Sequence, residues 1–180
     1  MPFPELELGW NIAILIILGL LALYLLLFVA VISVISSFRR MMKRDNKSVR
    51  VAMSAKLDLM KKFQEIIEKK KIKLSESCLH SLKYLDTEDF LDVQKDEFGQ
   101  SRDELVAVEL EIKSVVSDNK KLFNNSEIQL LDALLKDLNE SLKTSVAMYN
   151  SDVLGYNYWI AFAPYKFFFY ITGHRQKRVI

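Results

Sequence analysis

The feature that most constrains this chain is an uncharged run at residues 11–36. Between positions 12 and 35 every residue is apolar except Gly19, Tyr24 and Ser33, and no charge occurs between Glu7 and Arg39. As a helix, these 24 residues would reach about 36 Å, more than the bilayer hydrocarbon core requires. With roughly 20 apolar side chains each contributing a few tenths of a kcal/mol, insertion is favoured by about 10 kcal/mol. A soluble core helix needs no uncharged run of this length. The stretch reads as a membrane span.

The flanks give the span a direction. The N-terminal side carries Glu5 and Glu7, and the C-terminal side carries Arg39, Arg40, Lys43, Arg44, Lys47 and Arg50. Basic residues beside a span stay in the cytoplasm, so the N-terminus is expected outside and the rest of the chain inside, at the cell (inner) membrane. A cleaved signal peptide needs a basic start and a shorter apolar core, and this chain has neither. Trp10 sits where an interfacial anchor belongs. Tyr24 is mid-span and is expected to face a partner or a water defect.

The remaining chain reads as all-α. Only five Gly and three Pro occur in 180 residues, too few breakers for a turn-rich β fold. Apolar residues fall at Val49, Met53, Leu57, Met60, Phe63 and Ile67, which is one helical stripe. No Gly or Pro separates it from the span, so the helix is expected to run on, as one rod of about 60 residues. Residues 74–77 read as a connection, and Leu79, Leu82 and Leu85 begin a second helix. Residues 86–100 are acidic, either a helical extension or a loop.

Ser101 and Glu104 fit a capping box, as do Ser126 and Gln129. After the first come Leu105, Val108, Ile112 and Val115. This stretch also alternates as a strand would, but the cap and the neighbouring helices favour helix. Residues 119–125 form a polar break. The last long helix carries Ile128, Leu131, Leu135, Leu138, Leu142, Val146, Tyr149, Val153, Tyr156 and Ile160, and Pro164 is expected to end or disrupt it. The expected architecture is one N-terminal transmembrane helix followed by an antiparallel bundle of long helices. The expected division is an external N-terminus at 1–10, a span at 11–38, a cytoplasmic bundle at 45–163 and an aromatic and basic segment at 164–180.

Charge is unevenly placed. Residues 39–73 carry a net +9 and residues 74–152 a net −9. From Lys56 onward the basic block is expected to pair with acidic helices of the same domain, and no nucleic-acid partner is expected. The membrane-proximal cluster Arg39, Arg40, Lys43, Arg44 and Lys47 is expected to touch anionic headgroups. Cys78 is the single cysteine, so there is no disulfide framework, and a buried structural thiol is the expectation.

Near the C-terminus the spacing becomes specific. Tyr149-Asn150, Val153, Tyr156-Asn157, Pro164 and Gly173 form the pattern Y-N-x2-V-x2-Y-N-x6-P-x8-G. This resembles the signature of the LemA family of bacterial membrane proteins. Lys56-Leu57-Asp58-Leu59-Met60 is similar to a weakened form of that family's basic-x-D-L-I stretch. Departures mark a divergent member. Val146 stands where the family has Arg, Lys61 where it has Pro, and Ala163 where it has Phe. The family's Tyr-Pro before the last long helix is also missing. The resemblance implies an N-terminal membrane helix, an external N-terminus and a cytoplasmic antiparallel bundle, and it implies no established enzymatic activity.

Asn150 and Asn157 lie seven residues apart, on one side of a helix. They read as polar groups fixing a register, with a ligand-facing ladder as the functional alternative. Trp159, Phe162, Tyr165, Phe167, Phe168, Phe169 and Tyr170 precede Arg175, Lys177 and Arg178. An aromatic row with a basic end suits a membrane interface or a partner, and equally a cap on the bundle. His80 and His174 stand apart without metal-binding company, and no phosphate-loop, dinucleotide, zinc-protease or nucleophile-elbow motif occurs. No catalytic residue, cofactor or metal is expected. The expected function is a membrane-anchored interaction or scaffold module that binds the bilayer and either a protein partner or a second copy. The alternative is a bundle that binds or shapes the bilayer through its basic collar and aromatic end.

Overall fold

The computed structural model describes residues 4–87, 98–162 and 165–180. Among them the chain is all-α, without strands: α1 (Pro4–Lys69), α2 (Glu76–Thr87), α3 (Phe98–Asp118), α4 (Lys120–Phe123), α5 (Ser126–Ile160) and α6 (Lys166–Ile171). The 66-residue α1 carries the apolar run and the following stripe without interruption, as the absence of breakers between them predicts. Pro164 and the acidic residues 88–97 lie outside the described residues.

The chain divides into two compact units, Met1–Met41 with Asp152–Arg178, and Met42–Ser151 with Val179–Ile180. The second unit is a helical bundle. The whole α1 stripe from Val49 to Ile67 is buried in its core, with Leu82 and Leu85 of α2, Leu105, Val108 and Ile112 of α3, and Ile128, Leu131, Leu135 and Leu142 of α5. Lys61 pairs with Asp86, so α2 folds back along α1. Asn139 bonds Glu109 across the turn at α4, so α5 returns along α3. On α3, Val106 is 42% and Leu110 65% exposed while Leu105, Val108 and Ile112 are buried, which is the helical period rather than the strand one.

Two helix starts differ from the capping-box reading. Helix α3 is already helical at Phe98, the first described residue after the acidic stretch, so Ser101 is a buried residue inside the helix rather than its cap. At α5 the cap is Asn125, whose Oδ1 accepts from the Glu127 amide at 2.8 Å. Ser126 is already helical. Helix α2 starts at Glu76, ahead of Leu79, because the Ser75 hydroxyl accepts from the Cys78 amide at 3.1 Å. The polar break at 119–125 contains the single turn of α4.

The first unit contains the start of α1, the end of α5, and α6. Each of residues 9–27 of α1 is exposed, Tyr24 least at 36%. From Val31 the helix acquires a buried side, with Val31 and Ile35 in a core that also holds Val153, Tyr156, Ile160, Tyr165 and Phe169. A Cβ at Gly155 would lie 2.5 Å from Cε1 of Phe38, so only glycine lets that ring lie against α5 undisturbed.

Candidate functional site

The sequence singles out the Tyr-Asn repeat, whose two asparagines have definite partners. Val153 and Tyr156 are buried in the first unit and Tyr149 is half-buried. The Tyr156 ring stacks on His174 at 6.5 Å. Burial pushes the Tyr156 phenol above its ordinary value, against a smaller opposite pull from Arg39.

The two asparagines hold the C-terminal tail, and each does so by gripping the backbone of one residue. In the second unit, Asn150 Nδ2 donates to the Ile180 carbonyl at 2.7 Å and Oδ1 accepts from the Ile180 amide at 2.9 Å. In the first unit, Asn157 Nδ2 donates to the Lys177 carbonyl at 2.9 Å and Oδ1 accepts from the Lys177 amide at 2.9 Å. A side-chain amide offers a donor and an acceptor side by side, so it can satisfy both backbone groups of one extended residue. Residues 175–180 follow the end of α6 and lie outside any helix, and these contacts supply partners for part of that backbone.

Gly173 ends α6. It has φ +75°, its amide bonds the Tyr170 carbonyl at 3.2 Å, and the His174 amide bonds the Phe169 carbonyl at 2.9 Å. That pair of bonds is the Schellman motif, which needs a left-handed residue at this position.

Arg39, Arg40, Lys43, Arg44 and Lys47, which follow the apolar run, are all exposed, and Arg44 also bonds the neighbouring Asp45 at 2.9 Å. Arg50, from the same basic flank, is buried instead. Tyr24 faces the chain's own C-terminal segment. Its ring lies 5.0 Å from that of Tyr165, and its carbonyl accepts the Tyr165 hydroxyl at 3.2 Å.

The pairing expected of the basic block from Lys56 with acidic helices of the same domain occurs at Lys56 with Glu109 and at Lys61 with Asp86; sequence reasoning missed that the first is part of a buried polar cluster in the second unit. Glu109 accepts from Lys56 at 2.5 Å, from Lys113 at 2.5 Å and from Asn139 at 2.9 Å. Burial raises the Glu109 pKa, but the bonds from Lys113, Lys56 and Asn139 outweigh it and hold the carboxyl below its ordinary value. The signal was present. Glu109 follows Leu105 by four residues and Lys56 follows Met53 by three, so each lies on the apolar face of its helix. Cys78 is buried, and burial, with Glu111 adding, pushes its thiol up to about 11. Among the described residues no group of three or more His, Cys, Asp or Glu is placed to hold a metal ion.

The arrangement anchors, packs and restrains the chain, and it presents exposed basic and apolar surface. No family model, curated protein or solved structure matches the chain.

Proposed function

We propose that this chain is a single-pass membrane protein whose helical bundle lies on the cytoplasmic side, where it serves without catalysis as an interaction or scaffold module. One observation carries the reading. An 18-residue window of α1 has mean hydropathy 3.2, and none of it is buried within the protein. A helix this apolar, with no side chain of the window buried, is stable in lipid and not in water. The exposed basic residues that follow the run favour the cytoplasmic side for the bundle.

The proposal includes descent from LemA-like proteins, supported by the Tyr-Asn repeat and by an apolar N-terminal helix leading into a bundle. Exposed large apolar side chains on the bundle, Leu110 on α3 and Leu130 and Leu134 on α5, favour a protein-binding role. Tethering concentrates such a surface at the membrane without any new contact. The test is photo-crosslinking in cells from Leu110 and Leu130. A discrete adduct, either with another protein or with a second copy, is expected. Absence of any adduct from both positions contradicts the interaction reading.

A further inference from the structure

The first unit presents an aromatic surface that the span by itself does not require. Helix α6 buries Phe169, and Tyr165 just before it, yet leaves Phe168 and Ile171 exposed, with Phe167 at 70% and Tyr170 at 80%. Its inner side lies on the span. The Phe28 ring is 5.2 Å from Tyr165 and 5.4 Å from Phe168. The Tyr165 hydroxyl is satisfied by the Tyr24 carbonyl, so this contact buries no unpaired polar group.

The depth of Tyr24 and Phe28 follows from helix arithmetic. With Trp10 at the far boundary, about 20 residues of helix carry the hydrocarbon to about residue 30. Phe28 then lies about 3 Å, and Tyr24 about 9 Å, inside the boundary on the basic side. With Arg39 at that boundary instead, Phe28 lies about 16 Å and Tyr24 about 22 Å from it, at or past the middle of the ~30 Å core. Either register places the residues under α6 in hydrocarbon, and the Trp10 register places them in the leaflet on the basic side. The Trp10 register also lets Lys166 and Arg175 extend their stems to the headgroups. It matches the ~5–10 Å at which interfacial helices sit.

We propose that α6 is immersed in the leaflet on the basic side of the span. Phe167, Phe168, Tyr170 and Ile171 lie against acyl chains, and Lys166 and Arg175 lie among headgroups. Lipid is the occupant of this face because α6 is fixed to a helix segment that lipid already surrounds. The protein thus enters one leaflet at two places and the other at one. The inference rests on the span reading but not on its orientation.

The test uses the full chain in liposomes of neutral and anionic phospholipid. Nitroxides are placed one at a time through Phe167→Cys, Tyr170→Cys, Leu18→Cys and Lys121→Cys in a Cys78→Ala background. Their collision rates with oxygen, which partitions into lipid, are compared with those with a water-soluble nickel chelate. If the background loses its helical circular dichroism, the labels are repeated with Cys78 kept, since burial protects that thiol. The oxygen-to-nickel ratio at 167 and 170 is expected to exceed that at 121 several-fold, as at 18. Ratios at 167 and 170 equal to that at 121, with 18 still lipid-like, overturn the proposal. Shielding of 167 and 170 from both reagents also overturns it, because protein then covers the face. A water-like ratio at 18 overturns the span reading and the proposal together.

Discussion

Asn157 and Lys177 form a closed two-bond pair, with the side-chain amide of one matched to the backbone amide and carbonyl of the other, both at 2.9 Å. Lys177 has no helical partner, so this pair is what holds that point of the tail. Replacing Asn157 with Ala is expected to cost about 1 kcal/mol, the net worth of solvent-accessible hydrogen bonds of this kind. The larger effect is local. Trypsin is expected to cut at Arg175, Lys177 and Arg178 faster in Asn157→Ala than in the parent, with the rest of the chain unchanged. Equal cleavage rates would show that the pair does not restrain the tail.

Two helix ends with the same bond pattern differ in the residue at the left-handed position. Helix α6 ends on Gly173 at φ +75°, whereas α1 ends through Lys71 at φ 57°. At α1 the Ile72 amide bonds the Ile67 carbonyl at 3.2 Å and the Lys71 amide bonds the Glu68 carbonyl at 2.8 Å. A side chain in that conformation costs about 1–2 kcal/mol, offset in part when glycine loosens the unfolded chain. Lys71→Gly is therefore expected to stabilise the protein by about 0.5–1 kcal/mol and Gly173→Ala to destabilise it by a similar amount. A Cβ at 173 would meet nothing, so the second effect is conformational rather than steric. Denaturant titration in detergent checks both signs.

The Glu109 cluster makes stability depend on pH. Its carboxyl is held below the ordinary value of 4.5, so it contributes stability above that value and loses it as pH falls further. Glu109→Gln leaves Lys56 buried without its counter-charge and is expected to cost about 3 kcal/mol near neutral pH. The gap between parent and variant is expected to narrow as pH falls below 4.5, because the unfolded parent then takes up a proton before the folded carboxyl does. Thermal melts at neutral and acid pH measure it. A gap independent of pH would mean that the charge of Glu109 contributes nothing.

Periodicity made the helices legible. The stripe from Val49 to Ile67 and the α5 run from Ile128 to Ile160 repeat at helical spacing over many turns, and burial follows them. Helix starts were less legible because a cap is a competition among neighbours. Asn125 and Ser126 are both good caps, and the helix begins one residue earlier when Asn125 wins. Ser101 has the right spacing to Glu104 but lies within a helix that is already formed at Phe98. The asparagine grips were not legible, since an asparagine does not record which backbone it will bond. Lys56 and Glu109 stand 53 positions apart, so spacing could mark each as facing the core but could not pair them.

The proposed chain crosses the membrane once and keeps its bundle inside. Cys78 alone cannot test this, because its buried thiol resists reagent from either side. Exposed positions on the two sides of the span can, each as a single cysteine in a Cys78→Ala background. A membrane-impermeant maleimide applied to intact spheroplasts is predicted to label Gly9→Cys and to leave Lys121→Cys unlabelled until the membrane is permeabilised. Labelling of Lys121→Cys from outside would contradict the orientation, and labelling of both positions from the same side would contradict the span itself.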